Sequence, residues 1–223
     1  MKKAVIFDLD GTLLDTLDDL TDGVNHALEE FGRPAQTREE VRTHIGNGIG
    51  NLIARSLEKH FDDPCYDAIL NCFRTFYTEN CMVRTDLYPG IADMMRRLSE
   101  MSIGTAIVSN KNDAAVRELA EHYFHGIVKS AVGEKKGVKR KPAPDTILKA
   151  LENIGAAPED AVYVGDSEPD LEAADNAGMD LILVSWGFRG RRRLEEITAS
   201  DERGEGLSRM IIDDPAEIIE LIK

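Results

Sequence analysis

The sequence predicts an α/β fold, a doubly wound parallel sheet that is interrupted by an all-helical insertion. Three observations indicate it. A short apolar run at residues 4–7 ends abruptly in acidic residues, which is typical of a fully buried strand. Apolar residues then recur at helical spacing through residues 17–84. From residue 91 onward, helical segments alternate with short apolar runs, a pattern that predicts a parallel sheet with helices on both faces.

Four helices are expected within the insertion at residues 17–84. The first ends at Gly32, and Thr37 with Glu40 has the pattern of a capping box that opens the second. The glycines of residues 46–50 interrupt the helical pattern before the third. The apolar stripes of the first, third and fourth helices consist of Leu20, Val24, Ala27, Leu28 and Phe31, of Leu52, Ile53 and Leu57, and of Ala68, Ile69, Cys72, Phe73 and Phe76. These stripes predict one compact helical domain.

Residues 1–16 and 85–223 are expected to form a single Rossmann-like core, because strands and helices alternate through them. Strands are expected at residues 4–7, 104–108, 161–164, 181–184 and 210–212, with a further short apolar segment near residues 127–128, and helices at residues 91–101, 113–123, 144–154 and 170–177. Residues 187–209 are polar and are expected to form an exposed loop or short helix with solvated arginines at 189 and 191–193. Ligands of such sheets bind beyond the carboxyl ends of the strands.

The end of the first expected strand carries two carboxylates, Asp8 and Asp10, followed directly by Gly11. On an extended segment a spacing of two points both side chains the same way. Two acids crowded together repel each other unless a cation or a shared proton lies between them. The pattern therefore indicates a hard-metal site or an acid/base pair, and the alternative is a solvated acidic turn.

Two further segments place polar groups just before expected helices. Ser109 and Asn110 follow the strand at residues 104–108, and their side chains together with free backbone donors could cradle a phosphate or simply cap the next helix. Pro142 favours an extended conformation for Lys141. The Lys141 ammonium could therefore be directed into a site, and the alternative is a surface basic patch.

A third strand end, after residues 161–164, carries Asp166 and Asp170. Two acids four residues apart at a strand-to-helix turn suit a metal ligand and its supporting partner. Asp170 could otherwise be an acidic residue that stabilises the helix N-terminus.

The four motifs, in this order, resemble those of the haloacid-dehalogenase-like hydrolases, specifically the phosphatase branch, and the resemblance covers essentially the whole chain. It implies a three-layer core with Asp8 on the central strand and Asp166 on a neighbouring one. It also implies that the helical insertion is a cap domain. The expected activity is hydrolysis of a phosphate monoester through an aspartyl-phosphate intermediate.

The resemblance also implies a role for each motif residue in the chemistry. Asp8 is expected to be the nucleophile, and Asp10 to protonate the leaving alcohol and then activate water. Lys141 is expected to neutralise charge on Asp8 and on the phosphoryl oxygens. Ser109 and Asn110, together with Lys141, are expected to hold the phosphate.

A Mg²⁺ ion is the cofactor that the resemblance implies. Asp8, the backbone carbonyl of Asp10 and Asp166 are its expected protein ligands. Asp170 is expected to support the site by holding Lys141 or metal-bound water.

The loop Gly46-Asn47-Gly48 resembles one in phosphoglycolate phosphatases, whose caps close it over a small acid. Its two glycines would let backbone amides approach a carboxylate closely, and the alternative is a plain interhelical turn. We therefore expect 2-phosphoglycolate or a similar small phosphorylated acid as substrate. Inorganic pyrophosphate, another small phosphorylated metabolite, or phosphotransfer of the β-phosphoglucomutase kind remain open. So does a slow-turnover phosphate-sensing module, against which the large insertion and Asp10 argue.

Composition excludes several classes of function. The chain has 223 residues, and 27 Lys and Arg against 41 Asp and Glu give a formal net charge of -14, which argues against a nucleic-acid partner. The three cysteines, Cys65, Cys72 and Cys81, form no Cys-x-x-Cys pair and are not expected to bind metal. No long uncharged apolar run is present. We expect a cytoplasmic protein with no membrane partner, a monomer or homodimer.

Overall fold

The chain divides into two compact units in the computed structural model, which describes residues 2–201 and 206–223. The first, here called the sheet unit, comprises Met1–Leu14 and Leu87–Lys223. The second, here called the helical unit, comprises Asp15–Asp86 and is inserted into the first. Among the described residues, no helix has the length and apolar character that crossing a membrane requires.

The sheet unit is built on a parallel sheet to which six of the described segments contribute. These strands are β1 (Ala4–Phe7), β4 (Gly104–Asn112), β5 (Ser130–Glu134), β6 (Ala161–Gly165), β7 (Asp180–Val184) and β8 (Arg209–Ile212), and the short strands β2 (Leu14–Asp15) and β3 (Asp86–Leu87) pair separately. Their order is β5-β4-β1-β6-β7-β8. Ala4 of β1 is in register with Gly104 of β4 on one side and with Ala161 of β6 on the other. The carboxyl ends of β4, β1 and β6 therefore lie along one edge.

Helices cover both faces of this sheet: α5 (Ile91–Glu100), α6 (Asp113–Phe124), α7 (Asp145–Ile154), α8 (Glu168–Ala177), α9 (Gly190–Ser200) and α10 (Ala216–Leu221). Alternate residues of β1 enter two different hydrophobic clusters. Val5 and Phe7 pack in the cluster that includes residues of α5, α6 and α10. Ala4 and Ile6 pack in the cluster that includes residues of α7, α8 and α9. This alternation is the period of two of a strand buried on both faces, and the predicted three-layer α/β fold is confirmed.

The polar segment at residues 187–209 is more ordered than the sequence suggested. It contains α9, which buries Leu194 and Ile197 against the sheet, and β8 begins at its end; residues 202–205 lie outside the described part. The arginines at 189 and 191–193 form ion pairs with acidic side chains of the same unit, Arg189 and Arg193 with Glu168, Arg191 with Asp213, and Arg192 with Glu196. Arg189 is largely buried, whereas Arg192 is exposed.

The helical unit contains α1 (Leu17–Glu30), α2 (Arg38–His44), α3 (Ile49–Arg55) and α4 (Tyr66–Asn80), with a 3-10 turn at His60–Asp62. The predicted capping box is present at α2, where the Thr37 hydroxyl accepts from the Glu40 N–H at 3.2 Å and the Glu40 carboxylate accepts from the Thr37 N–H at 2.7 Å. Gly23 lets α1 approach α4 closely, because a Cβ at this position would lie 2.9 Å from the Phe73 ring. The core of this unit includes the fully buried Val24, Ile53, Ile69 and Phe73.

Candidate active site

The candidate active site lies at the carboxyl ends of three neighbouring strands. Asp8 directly follows β1, Ser109 lies near the end of β4, and Asp166 directly follows β6. Because β1 pairs with both β4 and β6 in parallel, these three residues are delivered to the same edge of the sheet. Lys141 joins them from the segment that precedes α7.

A buried lysine bridges two carboxylates at this edge. The Nζ atom of Lys141 lies 2.6 Å from Asp8 Oδ1 and 2.7 Å from Asp170 Oδ1. Both Lys141 and Asp8 are buried, and the Asp170 side chain is fully buried. The backbone N–H of Asp8 donates to the carbonyl of Val164 at 2.8 Å, which fixes the start of the loop against β6. The nucleophile predicted from the sequence is thus held against a cation within the protein.

The buried charges change the proton affinities of this pair. Burial, reinforced by the nearby Asp170 carboxylate, raises the pKa of Asp8 to about 7 despite the attraction of Lys141. Burial disfavours the charge on Lys141, but the carboxylates of Asp170 and Asp8 outweigh it and hold the pKa of Lys141 above its ordinary value. Lys141 therefore stays protonated, and the ionised form of Asp8 needs additional positive charge.

Asp170 anchors the lysine and the following loop. Its Oδ1 atom accepts from Lys141 and from the Tyr163 hydroxyl at 2.8 Å. Its Oδ2 atom accepts from the backbone N–H groups of Asp166 and Ser167 at 3.2 and 3.1 Å, and from the Ser167 hydroxyl at 2.5 Å. The contact from the Ser167 N–H belongs to a capping box at the start of α8, in which the Ser167 side chain accepts in turn from the Asp170 N–H. Because both oxygens accept several hydrogen bonds, Asp170 is suited to anchoring rather than to metal ligation.

Asp166 is enclosed by two glycines. Its Oδ2 atom accepts from the backbone N–H of Phe188 at 2.7 Å. A Cβ at Gly11, whose φ is +85°, would lie 2.5 Å from that oxygen, and a Cβ at Gly187 would lie 2.5 Å from Asp166 Cβ. Glycine is therefore required at both positions by the close approach of the carboxylate. Burial, with repulsion from Asp170 and Asp8, raises the pKa of Asp166 well above its ordinary value.

The donor set of this cluster fits a divalent cation. One carboxylate oxygen from each of Asp8, Asp166 and Asp170 lies within 4.8 Å of the others, and all three residues are buried. Two of these mutually repelling carboxylates, Asp8 and Asp170, contact the buried ammonium of Lys141. Hard carboxylate oxygens are the ligands that Mg²⁺ and Ca²⁺ prefer. A divalent cation on Asp8 and Asp166 would supply the missing positive charge.

Asp10 lies between the side chains of Ser109 and Lys111. Ser109 Oγ donates to Asp10 Oδ2 at 3.2 Å, and Lys111 Nζ lies 2.6 Å from Asp10 Oδ1. The backbone N–H of Lys111 donates to Ser109 Oγ at 3.1 Å, which orients the hydroxyl. Asn110 instead joins β4 to the segment that precedes α7, because its Nδ2 atom donates to the Lys141 carbonyl at 3.0 Å. The phosphate contacts expected of Ser109 and Asn110 stay predictions.

The loop Gly46-Asn47-Gly48 belongs to the helical unit. Its three residues have positive φ values of 127°, 61° and 85°. Arg55 Nη1 faces the carbonyl oxygens of His44, Ile45 and Gly46 at 2.9, 3.5 and 3.3 Å. Within the described part of the chain, the backbone N–H groups of the three loop residues have no hydrogen-bond partner. Arg55 thus holds the first carbonyl of the loop and the two carbonyls before it, and the amides of the loop are available.

Two side chains that contact the site were missed at the sequence level. Tyr163 lies within the buried strand β6, where its hydroxyl requires a polar partner, and this requirement was the available signal. Lys111 follows Ser109 at the spacing of two that places side chains on one face of a strand. The spacing argument that placed Asp8 and Asp10 on one side of a strand could therefore have placed Ser109 and Lys111 together.

Known proteins resemble this chain over most of its length. The model of the haloacid dehalogenase-like hydrolase family matches residues 5–184. Phosphoglycolate phosphatase of Pseudomonas savastanoi pv. phaseolicola is 31% identical over 98% of this chain and 79% of its own length. Phosphoglycolate phosphatase of Aquifex aeolicus is 33% identical over 83% of this chain and 86% of its own. The crystal structure of a candidate phosphoglycolate phosphatase from Lactobacillus delbrueckii subsp. bulgaricus superposes with a TM-score of 0.90 at 34% identity, covering 100% of this chain and 99% of the other.

Proposed function

Because the chain belongs to the haloacid dehalogenase-like hydrolases and is an enzyme of their phosphatase branch, we propose that it hydrolyses a phosphate monoester through an aspartyl-phosphate on Asp8. The observation that carries this proposal is the buried ion pair of Asp8 with Lys141 at the end of a central strand. The proposed substrate is 2-phosphoglycolate or a similar small phosphorylated acid, since the relatives named above carry that activity in their names.

In the first step, a carboxylate oxygen of Asp8 attacks phosphorus as the bond from phosphorus to the leaving oxygen breaks. Lys141 bears its charge beside Asp8 and would offset the negative charge of the incoming phosphoryl group. The Ser109 hydroxyl, at the end of β4, would donate to a phosphoryl oxygen. Asp170 keeps the lysine ammonium in place for both steps.

Asp10 is the proposed acid and base. In its protonated form it would give a proton to the leaving alcohol. As a carboxylate it would then accept a proton from the water that attacks the aspartyl-phosphate, releasing inorganic phosphate and restoring Asp8. The contacts from Ser109 and Lys111 hold its two oxygens in a fixed orientation, as a group that transfers protons requires.

The proposed metal is Mg²⁺, held by Asp8, Asp166 and the backbone carbonyl of Asp10. When bound, it would supply positive charge that offsets the repulsion between the Asp8 carboxylate and the phosphate. The Phe188 N–H and the two glycines around Asp166 keep that carboxylate oriented toward the cluster.

We assign substrate selection to the helical unit, which we propose is a cap domain. The loop Gly46-Asn47-Gly48 would bind the substrate carboxylate through its backbone N–H groups. Successive amides of this kind form a concave anion site. Arg55 favours this arrangement, because it holds the neighbouring carbonyl oxygens on its own side of the loop.

The experiment that tests the proposal is phosphate release with Mg²⁺ across a small panel. It contains 2-phosphoglycolate, inorganic pyrophosphate, β-glucose 1-phosphate and nucleoside monophosphates. We expect the highest kcat/KM for 2-phosphoglycolate. A flat profile, or pyrophosphate in first place, would contradict the substrate and leave the Asp8 chemistry standing. Absence of release from every compound would contradict the reaction itself.

A further inference from the structure

Lys111 places a second ammonium group in the site. The proposed chemistry does not use this group as a reactant. It lies in the last part of β4, two residues after Ser109, and its side chain is only 10% exposed. Its Nζ atom lies 2.6 Å from Oδ1 of Asp10, the proposed acid and base. A positive charge is therefore fixed beside the group that must contact the leaving oxygen.

The distances restrict what this ammonium can reach. A general acid must lie about 2.6 to 3.2 Å from the oxygen it protonates. The Lys111 ammonium can therefore lie at most roughly 7 Å from the leaving oxygen of a bound substrate, once the width of the Asp10 carboxylate is included. In a phosphorylated 2-hydroxy acid one carbon separates that oxygen from the carboxylate, whose oxygens lie about 3 Å from it by ordinary bond lengths. A carboxylate directed toward Lys111 would thus come within hydrogen-bond distance of its ammonium.

The charges of the site also favour a contact between Lys111 and a substrate carboxylate. The site brings together the carboxylates of Asp8, Asp10, Asp166 and Asp170. A substrate carboxylate next to Asp10 would be repelled unless a cation lies there too. Lys111 is the ammonium group in contact with Asp10, as Lys141 is for Asp8.

We propose that Lys111 is a specificity-determining residue, whose ammonium binds a carboxylate of the leaving group one carbon from the ester oxygen. This inference rests on the proposed function and narrows its substrate class to phosphorylated 2-hydroxy acids. In the unliganded protein Asp10 is the anion next to Lys111. In the complex the ammonium lies between Asp10 and one oxygen of the substrate carboxylate and donates to both, and the other carboxylate oxygen is left for the amides of the loop Gly46-Asn47-Gly48.

The test compares two alkyl phosphates of nearly equal size, 2-phosphoglycolate and 2-hydroxyethyl phosphate, in which a neutral CH₂OH group replaces the carboxylate. p-Nitrophenyl phosphate serves as a third substrate, because p-nitrophenolate is stable as an anion and leaves with little need for a proton from a general acid. The variants are Lys111→Met, Lys111→Arg and the control Lys149→Met, which removes an exposed lysine of α7 that pairs with Glu152. Thermal unfolding of each variant checks that the fold is retained.

For Lys111→Met we expect kcat/KM for 2-phosphoglycolate to fall about 10- to 100-fold, mainly through KM, because a charge-assisted hydrogen bond is lost. We expect kcat/KM for 2-hydroxyethyl phosphate to change less than about threefold. Lys111→Arg should recover much of the preference for the acid, since it keeps the cation. Lys149→Met should match the wild type on all three substrates.

Two results would overturn the inference. An equal loss on both alkyl phosphates, with p-nitrophenyl phosphate spared, would mean that Lys111 acts only by positioning Asp10. An unchanged preference in Lys111→Met would mean that the carboxylate is bound elsewhere. If the proposed substrate is wrong, the wild-type enzyme itself should show no preference in kcat/KM for 2-phosphoglycolate over 2-hydroxyethyl phosphate.

Discussion

At the scale of single residues, the Tyr163 hydroxyl joins Lys141 to Asp170. It donates to Asp170 Oδ1 at 2.8 Å and accepts from Lys141 Nζ at 3.2 Å. Burial and the Asp170 carboxylate raise the pKa of Tyr163 well above its ordinary value, so the hydroxyl remains a donor. We expect Tyr163 to act by positioning Lys141, since its hydroxyl contacts Lys141 and Asp170.

Removing this hydroxyl should weaken catalysis without unfolding the protein. For Tyr163→Phe we expect kcat to fall about tenfold, as is usual when a partner that orients an active-site group is lost. KM should change little, because the ring stays in place. The control is Tyr123→Phe on α6, where we expect an unchanged kcat. Equal kcat in both variants would show that Lys141 is oriented by Asp170 alone.

Replacing the proposed nucleophile is the sharpest test of the mechanism. Asp8→Asn keeps the volume of the side chain but removes its nucleophilicity, and we expect turnover to fall by about a thousandfold or more. The matched control, Asp93→Asn, alters an exposed aspartate of α5 that pairs with Arg96, and it should retain full activity. Phosphate release and circular dichroism measure both effects. Substantial turnover in folded Asp8→Asn would rule out an aspartyl-phosphate on this residue.

Spacing along the chain indicated two pairs of site residues. Asp8 and Asp10 lie two apart at a strand end, and Asp166 and Asp170 lie four apart at a helix start. Tyr163 could not be assigned in this way, because alternation along a buried strand shows which face a side chain takes but not which residue its hydroxyl meets. Its partners come from two distant segments of the chain.

At the scale of elements, a glycine lets β5 approach the end of β4 closely. A Cβ at Gly133 would lie 2.6 Å from backbone atoms of Asp113 and Lys111. The Gly133 N–H donates to Asp113 Oδ1 at 3.0 Å, and the pairing of β4 with β5 shifts register between Val108 and Asn112. Gly133 thus supports the backbone of the segment that carries Ser109 and Lys111.

Adding one methyl group at this position should therefore destabilise the fold. We expect Gly133→Ala to lower the free energy of unfolding by about 2 kcal/mol, because backbone atoms cannot move aside as a flexible side chain can. Gly104→Ala, at the start of β4, is the control, since a Cβ there would meet its nearest atoms at 3.6 Å, an ordinary contact. Urea denaturation compares the two. Equal midpoints would mean that the β4–β5 segment adapts without cost.

Elements with strong periodicity were predicted better than polar ones. The strands around the site were expected within a few residues of their observed bounds, because each is a compact apolar run. Helix α9 was expected only as an exposed loop or short helix. Its three arginines and two glutamates dominate the local composition, and only Leu194 and Ile197 mark the buried face. Two apolar residues three apart are too few to establish a helical period.

At the scale of the whole molecule, the buried carboxylates couple stability to pH. Burial raises the pKa of Asp8 from its ordinary 3.8 to about 7, so between these values the folded protein holds a proton that the unfolded chain has released. The contribution of Asp8 to the free energy of unfolding therefore falls as pH rises through this window. A bound divalent cation requires the ionised carboxylate and should reverse this loss.

We accordingly expect Mg²⁺ to raise Tm more at pH 8 than at pH 5. Thermal unfolding with excess Mg²⁺ or with EDTA at the two pH values measures the difference. In Asp8→Asn the pH dependence of the Mg²⁺ effect should shrink, because one of the two titrating ligands is gone. An equal rise in Tm at both pH values would contradict Asp8 as a ligand.

The position of β1 in the sheet has a consequence for synthesis of the chain. Ala4 pairs with Gly104 and Ala161, so the central strand leaves the ribosome long before either neighbour has been translated. The helical unit, Asp15–Asp86, is by contrast contiguous and is completed first. Domains generally fold as units during translation. We expect the insertion to fold early, while the apolar strand Ala4–Phe7 stays unpaired and depends on the growing chain, or on chaperones, to avoid aggregation.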